Sequence, residues 1–170
     1  MNAMLKLSLA AALATAMLFS NAHAQQSALK KLIVGTWTLV TFETVAPGGA
    51  KFPIVEGTDP KGLLIIGSDG RFSQQVIAVF PKFAVDRLKT TPQEDYAMAR
   101  AIHSYFGTYT VNDKDKSVIF HVERSSFPNQ NGTDVKRSIT SVNANEMTLT
   151  FTRTAGEQIS LVWRRAMVPN

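Results

Sequence analysis

The chain has 170 residues, the size of a single domain. Hydrophobic residues make up 45% and charged residues 18%, a balance that supports a packed core and excludes a disordered chain. The net charge of +5 is scattered, which excludes a phosphate-tracking stripe and with it nucleic acid as an expected partner; the absence of cysteine excludes disulfides, thiol catalysis and thiolate metal sites.

The N-terminus reads as an export signal. Lys6 supplies the positive start, 7–19 is an apolar run, and Ala22-His23-Ala24 offers the small-x-small pattern of a cleavage site, with Gln25 as the first mature residue. The run falls short of the ~20 apolar residues that cross a bilayer. The expectation is therefore a cleavable signal peptide over 1–24 and one domain over 25–170. That places the protein in the periplasm or outside the cell, with no integral membrane association once the signal is removed.

The first strand is predicted over 35–45, where Thr, Val and aromatic residues alternate. Pro47-Gly48-Gly49 ends it, and an irregular loop runs to the Asp59-Pro60-Lys61-Gly62 turn. A short apolar strand over 62–66, the Ser68-Asp69-Gly70 turn and a returning strand over 71–79 form a hairpin. One helix follows. Thr91 is its N-cap, Pro92 lies in its first turn, and Glu94 complements its dipole; Tyr96, Ala99, Ile102 and His103 recur at helical spacing. Five more strands are predicted over 106–111, 117–123, 134–142, 147–153 and 158–165, joined by connections of hairpin length. The tally is an all-β chain of eight antiparallel strands with one helix between the third and fourth. Such strands can close into a barrel that removes exposed edges and holds either side chains alone or one small ligand.

Several fragments in order resemble the bacterial lipocalin-like domain proteins. They are Gly35-Thr36-Trp37 opening the first strand, Asp59-Pro60-Lys61-Gly62, Ser68-Asp69-Gly70-Arg71-Phe72 and Phe106-Gly107-Thr108-Tyr109. His121-Val122-Glu123, Pro128-Asn129, Gly132, Arg137 and Val162-Trp163-Arg164-Arg165 follow. The resemblance covers nearly the whole mature chain and implies an eight-stranded calycin-type barrel. It implies little about activity, because fold does not fix function. It also implies that an arginine from the last strand stacks over the opening tryptophan, pairing Arg165 with Trp37 in preference to Arg164, as a structural closure of the barrel floor.

His121 and Glu123 share one face of their strand, and Val118, Phe120 and Val122 share the other. In a solid core the apolar set points inward and the polar pair meets solvent. In a polar-lined cavity the pair points inward, and Arg137 on the next strand could meet Glu123 across the ladder. Inward, His121 and Glu123 are weak candidates for an acid/base pair, and Arg137 for a carboxylate or phosphate anchor. The expected ligand-contacting set is Phe72, Gln74, Tyr109, His121, Glu123 and Arg137. No His-rich spacing suggests a metal site, and no nucleophile elbow, phosphate loop or dinucleotide fingerprint suggests a cofactor. Three functions fit. The first is a binding protein for a small apolar or amphipathic molecule, the second an isomerase or cyclase using His121 and Glu123, and the third a filled barrel acting as a protein-interaction module.

Overall fold

Alternation of apolar and polar residues generates nine antiparallel strands in a computed structural model that describes residues 27–53, 55–84 and 86–167. The segment read as an export signal lies outside the described residues. In chain order the elements are α1 (Ala28–Ile33), β1 (Gly35–Val45), β2 (Lys51–Phe52), β3 (Thr58–Ile66), β4 (Arg71–Val79) and α2 (Pro92–Ala101). Then come β5 (Ile102–Asn112), β6 (Ser117–Ser125), β7 (Asp134–Val142), β8 (Glu146–Thr152) and β9 (Gln158–Arg165). β1, β3 and the strands to β9 pair in sequence order, and β9 returns to β1, which closes an eight-stranded barrel. β2 is the ninth strand and only flanks the end of β1, at Thr44 and Val45.

Two expectations are corrected here. The helix does not follow the third strand. Lys51–Phe52, expected in a loop, folds back on β1 after the proline–glycine turn, so α2 follows the fourth strand. Nor does the helix run to His103. Ala101 is its last residue, and Ile102 and His103 already pair with Ile77 and Val76 on β4. Burial of one strand face outweighs the helical spacing there. The start of α2 is as its residues dictate: Thr91 Oγ1 accepts from Glu94 N–H at 3.3 Å, and Thr91 N–H donates to the Glu94 carboxylate at 2.7 Å.

α1, too short to leave a periodic signature, packs under one end of the barrel with Ile33 fully buried. Its cap is Ser27, whose Oγ accepts from Lys30 N–H at 3.1 Å. A bulge between Leu39 and Thr41 switches the inward parity of β1, so Thr41, which a regular strand would put on the face of Trp37, is exposed, and Thr44 is buried instead.

Candidate functional site

Strand parity divides the interior into two ends. At the α1 end it is filled. Trp37, Leu64, Ile66, Phe120, Met147, Leu149 and Trp163 are each at most 1% exposed there. Arg165 lies over Trp37, its Cζ 4.1 Å from the ring centroid. Its guanidinium donates to Val34 O at 2.9 Å, to Leu32 O at 2.7 Å and to Ala144 O at 2.5 Å. Trp37 Nε1–H donates to Ile33 O at 2.8 Å. Gly35, at φ +144°, clears the way for this stack, since a Cβ there would stand 2.2 Å from Arg165 Nη1. Arg164 points outward and is exposed.

The α2 end is polar and open. Along β4 the inward set is Phe72, Gln74, Val76 and Ala78, so a buried amide interrupts an apolar row. Tyr105 on β5 donates its hydroxyl to Gln74 Oε1 at 3.0 Å. Arg137 on β7, 8% exposed, stacks on Phe151 of β8 with Cζ 3.5 Å from the ring centroid. One of its donors, Nη1–H, reaches Lys136 O at 3.1 Å, and the Tyr105 hydroxyl stands beside the guanidinium. Burial lowers the Arg137 pKa, with a smaller contribution from the Arg153 charge, and burial raises that of Tyr105. His103, next inward on β5, is driven down to about 4, first by burial and then by the Arg137 charge; its Nδ1 is buried without a hydrogen-bond partner.

His103, Arg137 and Phe151 border a cavity of about 570 Å³. Its polar lining is His103, Gln130, the Asp134 carboxylate and the cations Arg100, Lys136, Arg137 and Arg153, and Val55, Ile102, Phe127, Val135 and Phe151 are among its apolar lining. The volume is within the ~300–1,000 Å³ range of small-molecule sites.

The sequence-derived residues separate accordingly. Arg137 lines the cavity, whereas Gln74 is bonded to Tyr105 and does not line it. Phe72 is buried between Tyr105 and Phe120, with ring centroids at 5.5 Å and 4.4 Å, as part of the packed core. Tyr109 is at the filled end and donates to Gly67 O at 2.8 Å. Burial raises its phenol to about 12.

His121 and Glu123 are outside the barrel, which corrects their placement in the ligand-contacting set and as an acid/base pair facing a cavity. Val118, Phe120 and Val122 are at most 3% exposed, and turning that apolar face outward would forfeit its burial. Glu123 pairs with Arg71 at 3.1 Å, not with Arg137. His121 instead joins a row across three strands: its Nε2 lies 3.1 Å from Thr110 Oγ1 and its Nδ1 2.7 Å from Asp134 Oδ1. The row has the order of a hydroxyl–imidazole–carboxylate relay. It lies on the convex face with the Asp134 side chain 66% exposed, away from the desolvated setting in which such relays stabilise developing charge.

His103, Tyr105 and Phe151 were not singled out by sequence reasoning. Tyr105 shares parity with Tyr109, and Phe151 with Met147 and Leu149, so alternation carried the signal for both. His103 was hidden by its assignment to the helix.

A family model described as a lipocalin-like domain matches residues 34–166. Among solved structures, the chain is similar to a lipocalin-like protein from Bacteroides uniformis at 11% identity and a TM-score of 0.43, covering 79% of this chain and 98% of that one. It is also similar to a redesigned β-barrel at 12% identity and a TM-score of 0.46, over 85% of this chain and 100% of that one. A de novo designed fluorescence-activating β-barrel matches at 11% identity and a TM-score of 0.43, over 83% of this chain and 100% of that one. No curated protein matches the sequence.

Proposed function

The chain belongs to the lipocalin-like domain family, and from that premise we propose that it is an exported binding protein holding one small amphipathic molecule in the α2 end of its barrel. The observation that carries this reading is the cavity of about 570 Å³ that opens onto buried Arg137. A barrel selected only for a solid core has no use for a guanidinium inside it, because an internal charge costs free energy that packed apolar groups do not. The positive start, apolar run and Ala22-His23-Ala24 site support export to the periplasm or beyond.

Binding is favoured over proton-transfer catalysis by the properties of the imidazole that lines this cavity among the described residues. His103, with a pKa of about 4, is a poor proton acceptor at neutral pH, and the Asp134 carboxylate in the lining is turned to His121 on the exposed face. His121 and Glu123 face away from the cavity.

Native mass spectrometry tests the reading. The protein is recovered without denaturation from the compartment it is exported to, then exposed to decan-1-ol and to decanoate. An added mass that disappears on denaturation, resident or supplied, is the expected result. The bare polypeptide mass under both probes overturns the proposal, and recovery of the protein with residues 1–24 still attached overturns its export.

A further inference from the structure

Resting on that reading, we propose that the barrel selects a monoanionic ligand, an apolar monocarboxylic acid that enters carboxylate first, with Arg137 as its counter-ion and its apolar tail directed to the mouth. The argument starts from an imbalance of charge. Arg137 is buried on the inner face of β7, yet none of the six ion pairs among the described residues includes it. Its partners are the Phe151 ring, the Lys136 carbonyl and the neutral Tyr105 hydroxyl. A buried guanidinium with a single carbonyl bond keeps most of its five donors available, and its fork matches the two oxygens of a carboxylate.

The other charges around the cavity do not neutralise it. Asp134 turns to His121 on the outer face with its side chain 66% exposed, so solvent screens its charge from Arg137, while Lys136 pairs with Asp115 and Arg100 with Glu56. The remaining charged group in the lining, Arg153, adds positive potential at the exposed rim. One buried positive charge balances one negative charge. A dianion would take an unpaired second charge out of water, which argues for a carboxylate over a phosphate monoester.

Position sets the orientation. The interior beyond Tyr105 and Phe72 is packed, and the apolar lining of Val55, Ile102 and Phe127 lies towards α2 and the 127–130 turn. His103 Nδ1, buried without a partner on the same cavity, is a second group that can hydrogen-bond the bound acid.

Calorimetric titration of the purified protein with decanoate and with decan-1-ol separates this inference from the reading beneath it. Both probes share a tail, so the ratio of their dissociation constants reports the headgroup alone. Decanoate is expected to bind about tenfold tighter or more, as a charge-assisted bidentate contact warrants. In Arg137→Met the ratio should fall to about one. Equal affinities in the unsubstituted protein overturn the monoanion and leave the binding reading standing, an outcome that does not depend on the variant folding. A preference for decanoate that survives Arg137→Met overturns the role of Arg137. Failure of both probes to bind overturns the binding reading together with this inference.

Discussion

Among the described residues, two arginines point into or across this barrel, each stacked on an aromatic ring, and they are in opposite states of satisfaction. Arg165 closes the α1 end. It stacks on Trp37 and spends its donors on three backbone carbonyls, those of Leu32, Val34 and Ala144. Arg137 stacks on Phe151 at the α2 end and gives one bond to a carbonyl beside a cavity. The first is a fastener, because its neighbours need it. The second is tolerated by its neighbours without being needed by them, and an arginine kept inside on those terms is explained by what it binds. The same residue type with the same stacking geometry thus separates a stability end from a function end.

The largest effect is expected where the stability end is cut. Trp37→Ala removes a fully buried indole, the platform under Arg165 and the donor to Ile33 O, and should cost about 3–5 kcal/mol in urea unfolding. A cost near 1 kcal/mol, about that of an average point substitution, would show that the closed end is not the keystone this comparison makes it.

Next in size is a pH dependence belonging to the open end. His103 titrates at about 4 in the folded protein against 6.5 for a free imidazole. Between those values the unfolded chain binds the proton and the folded one does not. Stability therefore falls as the pH drops from 6.5 to 4, by up to roughly 3 kcal/mol, and the group contributes nothing above that window. His103→Gln should flatten this part of the stability–pH profile, measured as the difference from the unsubstituted protein so that carboxylates titrating nearby cancel. An unchanged slope would mean that the α2 end is wetter than its geometry indicates.

The arginines themselves give a pair of smaller effects. Arg165→Met strips a donor from three carbonyls and a cation from Trp37, at a cost of about 2 kcal/mol. Arg137→Met removes an uncompensated internal charge and replaces it with a side chain that still covers Phe151, so stability should stay within about 1 kcal/mol or rise. Equal losses in thermal or urea melts would erase the distinction between the two ends.

Much of this division was legible in the sequence, for a reason that individual residues make plain. On β7 the order Asp134, Val135, Lys136, Arg137, Ser138, Ile139 alternates strictly, so a parity that buries Val135 and Ile139 also buries Arg137. Gln74 sits in the same way between Phe72 and Val76. Alternation also favoured Val118, Phe120 and Val122 as the inward set of β6, and only the alternative of a polar-lined cavity turned His121 and Glu123 inward. What periodicity could not supply was anything set by closure: that Arg137 meets Phe151 on β8 rather than Glu123 on β6, or that Ile102 and His103 leave the helix. Tyr96, Ala99 and Ile102 satisfy a 3.6-residue period, and the competing signal, a seat for His103 opposite Val76, exists only once the barrel has formed. β2 at two residues is below the length at which any pattern shows.

The smallest effect tests whether function could lie on the outer face after all. His121 bridges Thr110 and Asp134 on water-facing strands, and Glu123 bridges Arg71 with both side chains about half exposed. Exposed pairs of this kind contribute about 0.2–1 kcal/mol, because solvent and salt screen them and ordering the side chains opposes them. His121→Ala should therefore cost less than about 1 kcal/mol in urea unfolding and leave the ratio of decanoate to decan-1-ol affinity unchanged. Asp134 belongs both to this row and to the cavity lining, but its side chain is 66% exposed and solvent screens its charge from Arg137. A change in the ratio of more than a few-fold would therefore be informative. It would show that the Asp134 carboxylate, once released from His121, acts on the ligand, and that the outer row is part of the binding site rather than separate from it.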